Sequence, residues 1–319
     1  MPNLGDRFRG VPSVRRAVTV ALVVLAGCGD DTAAPDTTLA PTVITVAPTE
    51  PASSSGVDTA AVAVETTVPA QVETTASTLA VALPAGEPAE RADVGGFTAA
   101  VWAVAPEESV GAVTDPSGGV LAYVQEVRLT LDEATGQDLT DDGSPEVVFR
   151  GYSGGAHCCT SYSVVQTAEP AGEIFRSPAT NCGGSFGDLD GDGVAEFATC
   201  DDIWAYSLCA FAGSPAPAVV LAWDGSTWSP AIGAFQPNAP FQAGLEAYAR
   251  DVAAGATEEN REEVRCAVAA PVLGPVYDGN PDAGWALLNE LWPYDDPDAF
   301  RAELESILAT SVYAAALGY

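Results

Sequence analysis

Lysine is absent from all 319 residues, histidine and methionine occur once each, and 44 acidic residues stand against 12 basic ones, every one an arginine. A formal net charge of −32 repels phosphate backbones, which makes nucleic acid an unfavourable partner. The same field favours cations and basic partners, and it serves solubility equally well. Long apolar runs are also missing, since no stretch beyond the N-terminus approaches the roughly 18 residues needed to cross a bilayer. From Gly29 to Ala92 there is no aromatic residue. That segment is almost wholly Ala, Thr, Pro, Val, Ser and Glu, and so cannot bury enough surface to offset its ordering entropy. Residues 28–92 are therefore expected to be a disordered tether, semi-extended by its prolines.

What is present begins with an address. Arg15-Arg16 precedes a short apolar run, Ala17 to Ala26, which ends in Leu25-Ala26-Gly27-Cys28. A basic start, an apolar stretch too short to span, and small residues before a cleavage point are features of an export peptide. The Leu-Ala-Gly-Cys ending resembles the lipobox of bacterial lipoproteins. The resemblance implies a signal peptide over 1–27 and lipidation of Cys28, which would hold the chain to the membrane, facing outside the cytoplasm. An ordinary secretory signal or an uncleaved anchor is the competing reading. The other cysteines, Cys158, Cys159, Cys182, Cys200, Cys209 and Cys266, are even in number and belong to an exported chain, so disulfides of unknown pairing are expected. Adjacent residues on a strand point to opposite faces, so Cys158 and Cys159 are expected to find separate partners.

The acidic residues are densest in GGSFGDLDGDGVAEFATC, Gly183 to Cys200. Asp188, Asp190 and Asp192 alternate, Gly193 permits a tight turn, Val194 offers a carbonyl, and Glu196 adds a carboxylate at the ninth position. Such a set suits a hard cation such as calcium, with its 6–8 oxygen ligands. An EF-hand would place Glu at the twelfth position, where this chain has Thr199, and the flanks read as strands, not helices. Fifty residues upstream, Asp138, Thr140, Asp142, Ser144 and Glu146 fall on the same positions, with Thr140 in place of an Asp and Asp141 added at position four. A strand-loop-strand DxDxDGxxE is similar to the FG-GAP repeats of integrin-type β-propellers and the related bacterial VCBS-type repeats. Phe186-Gly187 supplies the FG pair. The resemblance covers about Gln137 to Trp228 and implies structural calcium in a β unit of two blade-like repeats, about 137–185 and 186–230. Two repeats are too few to close a propeller. For each loop the alternative is a solvated Asp-Gly turn.

The fold class read from these patterns is α+β, mainly antiparallel β over 93–235 followed by a helical region over 236–319. Gly96 to Val104 and Val120 to Leu131 read as strands, and AVVLAWDGSTWSPA as a hairpin turning at Asp224-Gly225. Helices are expected over 257–270, 282–292 and from Pro297, the last with Asp296 as N-cap and an apolar face of Phe300, Leu304, Ile307, Leu308 and Val312. Trp223, Trp228, Trp285 and Trp292 are read as core, with a sugar-stacking platform as the alternative.

SGGAHCCTSY, Ser153 to Tyr162, holds the single histidine, His157. It reads as a Gly-rich turn entering a disulfide-tied strand, and Gly154, Gly155 and His157 are the segment best suited to contact a partner. Pairing of His157 with Ser153, Ser161 or Cys158 as nucleophile, or metal binding with the cysteines, is the sharper alternative, and no nucleophile elbow accompanies it. Two functions follow from the sequence: a lipid-anchored, calcium-stabilised β module that binds an envelope or extracellular protein or glycan and is not an enzyme, or a secreted hydrolase using His157.

Overall fold

Val147, Val148 and Phe149 run consecutively along one strand and all three are fully buried. Side chains on a strand alternate between faces, so consecutive burial requires packing on both sides of the sheet. The structure, a computed structural model, describes residues 79–155, 159–235 and 239–319, together with β1 (Val20–Ala21) and β2 (Val43–Ile44), which pair antiparallel.

Three four-stranded antiparallel meanders follow one another along the chain. The first comprises β3 (Glu90–Val94), β4 (Phe97–Ala105), β5 (Glu108–Thr114) and β6 (Val120–Glu126). The second comprises β7 (Arg128–Leu131), β8 (Val147–Tyr152), β9 (Thr160–Gln166) and β10 (Gly172–Arg176). The third comprises β11 (Ser185–Gly187), β12 (Glu196–Cys200), β13 (Ala218–Trp223) and β14 (Trp228–Pro230). In the second sheet Val147, Phe149 and Val165 join Val101, Val113 and Val124 of the first. Its opposite face sends Val148, Tyr162 and Val164 into a larger core with Phe197 and Trp228 of the third sheet. The second sheet is therefore the middle layer.

Among the described residues, five α-helices follow the sheets: α1 (Ala239–Ala254), α2 (Arg261–Tyr277), α3 (Pro281–Leu291), α4 (Pro297–Leu308) and α5 (Ala314–Leu317). The architecture is mainly antiparallel β followed by helices, as the sequence indicates. Trp285, Trp292 and Phe300 are buried with the third sheet's Trp228 in one core, and Trp223 packs against it, so these tryptophans are core residues.

Several boundaries differ from expectation. Among the described residues a four-stranded sheet precedes the two that carry the acidic loops, and Val120 to Leu131 is two strands, β6 and β7, that belong to different sheets. Each repeat also begins before its acidic loop, at β7 and at β11. Ordered structure reaches into the expected tether, since Leu79 bridges Val120 and β3 starts at Glu90. The last long helix stops at Leu308, which leaves Val312 72% exposed instead of on an apolar face. Asp296 precedes α4 without capping it through its side chain; its carboxylate instead accepts from Arg261 at 2.6 Å and from the Trp292 indole at 3.1 Å.

The helix expected over 257–270 is displaced to α2, which runs through Pro271 and Pro275. Pro275 has no N–H for the carbonyl of Pro271, four residues back. That carbonyl accepts from the Gln242 side-chain amide of α1 at 2.8 Å, so a neighbouring helix replaces the missing bond.

Candidate functional site

The two acidic loops occupy the same place in successive sheets, between the first and second strands. Their internal bonding repeats at the 50-residue offset. Asp138 Oδ2 accepts from the Gly143 N–H at 2.9 Å, and Asp188 Oδ2 from the Gly193 N–H at 3.2 Å. Asp142 Oδ1 accepts from Ser144 N–H and Asp192 Oδ1 from Val194 N–H, both at 2.8 Å. Glu146 Oε2 accepts from Leu139 N–H at 2.6 Å and Glu196 Oε2 from Leu189 N–H at 2.7 Å. Gly143 and Gly193 both have positive φ, 87° and 101°, where a side chain would be strained.

These bonds draw carboxylates together. Asp138, Asp142 and Glu146 present oxygens within 4.8 Å of one another, and so do Asp188, Asp190 and Glu196. Asp192 is not in the second group. Thr140 is buried and its hydroxyl approaches Glu146 at 3.5 Å, whereas its counterpart Asp190 is exposed. Glu146 is 0% and Glu196 3% exposed. Burial, together with repulsion from the neighbouring aspartates, pushes each of these carboxyls up to about 7, and the backbone hydrogen bonds only partly offset this. Among the described residues neither glutamate forms an ion pair with a basic side chain. The donor set, all oxygen and anionic, is of the type that holds a hard divalent cation.

Of the other candidate residues, Cys28, His157 and Cys158 lie outside the described residues. Gly154 and Gly155 lie in a turn after β8 with φ of 85° and 94°, and the Tyr152 hydroxyl donates to the Gly155 carbonyl. Ser153 Oγ accepts from Cys159 N–H at 3.1 Å, and Ser161 Oγ donates to Glu126 at 3.3 Å. Disulfides join Cys182 to Cys200 and Cys209 to Cys266, and Cys159 is also disulfide-bonded. The four later cysteines thus pair among themselves, so Cys159 has its disulfide partner outside that set, and the expectation for Cys158 lies outside the described residues. Disulfides are consistent with an exported protein.

Sequence reasoning missed a cavity of about 450 Å³ between β10, the β13–β14 hairpin and the segment after α4, lined by Phe175, Arg176, Leu221, Trp228 and Tyr313 among others. Its walls come from three distant segments with no shared motif. Among the described residues no helix is long and apolar enough to cross a membrane.

Parts of the chain are similar to curated proteins. The uncharacterized protein y4bJ of Sinorhizobium fredii is 35% identical over 103 residues, which is 31% of this chain and 15% of that protein. The probable thylakoid lumen protein sll0997 of Synechocystis is 34% identical over 85 residues, 26% of this chain and 25% of that protein. The chain therefore spans a quarter or less of the length of either relative. No family model and no solved structure matches.

Proposed function

We propose that this chain is an exported, lipid-anchored envelope protein whose sheets are stabilised by calcium in two FG-GAP/VCBS-like loops and display a surface for a protein or glycan partner. The observation that carries the reading is the duplicated loop. Two buried glutamates, 50 residues apart, each gather two aspartates of their own loop, and among the described residues neither has a basic countercharge. Calcium would be held by Asp188, Asp190 and Glu196 in one loop and by Asp138, Asp142 and Glu146 in the other, and its charge would offset the burial of both glutamates.

Export is supported by the disulfides and by similarity to a probable thylakoid lumen protein. Anchoring rests on the Leu25-to-Cys28 ending, and mass spectrometry of the mature N-terminal peptide would reveal a lipid on Cys28. For the partner, the turn at Gly155 is exposed and the space where a Cβ would stand is open, with the carbonyl held by the Tyr152 hydroxyl.

The test of the calcium reading is calorimetry of the full chain with calcium and with chelator. A ligand that binds only the native state raises the melting temperature with the logarithm of its concentration over Kd. Asp190→Ala should remove most of that rise and Asp142→Ala less of it, since the upstream loop already has Thr140 at position three. A melting curve indifferent to calcium and chelator would overturn the reading.

A further inference from the structure

The first sheet ends at β6, whose one strand partner is β5. The outer side of such a strand presents a row of N–H and C=O groups that template pairing with another segment. Yet Val120, Leu121, Ala122 and Val124 of β6 are each 6% exposed or less. Buried backbone polar groups need partners, so this edge requires cover. Among the described residues one backbone bond reaches β6 from outside its sheet: Leu79 N–H donates to the Val120 carbonyl at 2.6 Å, in an antiparallel bridge. Antiparallel pairing continued back along the chain from Leu79 runs the length of β6, and would set Thr78 opposite Leu121 and Thr74 opposite Gln125.

From the buried edge and the Leu79 bridge we propose that residues 74–78 of this chain, which lie outside the described residues, join Leu79 as a fifth strand on β6. The proposal uses neither the calcium reading nor the lipid anchor. Thr74, Thr75 and Thr78 are β-branched and suit a strand, and no Pro or Gly occurs from Ala70 to Leu83. Glu73 would fall opposite Glu126, where like charges repel, so pairing stops at Thr74. The N–H and C=O of a strand residue point to one side and alternate along the strand, so the N–H groups of Thr75 and Ser77 face β6 as that of Leu79 does. The chain's own N-terminal segment thereby takes the edge that would otherwise pair with a partner strand or a second copy, and it enters the first sheet at Thr74, ahead of β3.

Hydrogen–deuterium exchange of the full chain, read by mass spectrometry on peptides covering residues 70–83 and β6, tests this. In the unaltered protein the amides of Thr75 and Ser77 should exchange about tenfold or more slowly than in an unstructured chain, because a paired strand exchanges only when it opens. Thr75→Pro/Ser77→Pro removes both donors and should restore the unstructured rate over 74–78 and speed exchange in β6, while β4 and β8 keep their protection and show that the sheets remain folded. Ala76→Pro is the matched variant. Its N–H faces away from β6 in this register, a position where an edge strand accepts proline, so protection of β6 should persist. Unprotected amides over 74–78 in the unaltered chain would overturn the proposal, and loss of protection in Ala76→Pro equal to that in the double variant would overturn this register. Protection of β6 that survives the double variant would overturn it as well, and would assign the edge to a second copy if it fell on dilution.

Discussion

The Tyr277 hydroxyl donates to Asp201 Oδ2 at 2.6 Å, joining the end of α2 to the residue that follows β12. Asp201 is 3% exposed and also accepts from the Ser311 hydroxyl and from Ile203 N–H, while the Trp204 indole donates to Tyr277 at 3.0 Å. One buried carboxylate thus ties the third sheet to α2 and to the turn between α4 and α5. Burial and the adjacent Asp201 charge hold the Tyr277 phenol above its usual range, so it stays protonated and keeps donating.

Asp201→Ala leaves two buried hydroxyls without their acceptor. It should cost about 2–4 kcal/mol in urea unfolding, whereas Tyr277→Phe, which removes a donor but leaves the carboxylate its other partners, should cost about 1–2 kcal/mol. Equal and negligible costs for the two would mean that the network does not join sheet and helices.

The Cys209–Cys266 disulfide spans 57 residues and pins the loop after β12 to α2, while Cys182–Cys200 spans 18. Loop-closure entropy assigns about 4 kcal/mol to the longer crosslink and about 3 kcal/mol to the shorter. Paired Cys→Ser variants measured in denaturant should follow that order. The described cysteines should give no reactive thiol in denatured, unreduced protein, and thiols from Cys209 or Cys266 would contradict the pairing.

Much of this arrangement was legible because its signals are local. The acidic loops carry their carboxylates within nine residues, and the helix expected over 282–292 is α3 (Pro281–Leu291), one residue away at each end. What was not legible depends on distant residues. Nothing in VLAYVQEVRLTL marks the change of sheet at Val127, since both halves suit a strand and only the partners differ. Likewise Pro271 and Pro275 read as a helix end, and the rescue comes from Gln242, 29 residues earlier. The contact between the acidic loops, from the Ala195 N–H to the Leu139 carbonyl, escaped for the same reason, because the two meet only when two sheets stack.

Asp278, just after α2, has its carboxyl pushed up to about 6 from 3.8 by burial alone. The native state therefore holds a proton that the unfolded chain releases between those values, and stability falls as pH rises from about 4 to 6. Asp278→Asn should remove this part of the pH dependence. The variant should gain about 1–2 kcal/mol over the natural chain at pH 7 and nothing at pH 3.5, after allowance for partial exposure. Parallel stability curves for the two proteins from pH 3.5 to 7 would show that the carboxyl is solvated.

Gly111 in β5 marks where the first sheet meets the second. A Cβ there would fall 2.5 Å from Leu129 Cδ2 and 2.8 Å from Phe149 Cε1. Phe149 is fully buried in the middle layer and Leu129 packs in the same core, so neither can move aside without opening it. Gly111→Ala should therefore cost about 1–3 kcal/mol through overpacking, despite the better strand propensity of a side chain at that position. Phe149→Ala in the same background removes the 2.8 Å clash and opens space into which Leu129 can shift, so it should lower the cost of Gly111→Ala, a departure from additivity expected only of residues in contact. Thermal unfolding of the four proteins of this cycle checks it. Additive losses would mean that the first sheet does not pack on the second through this glycine.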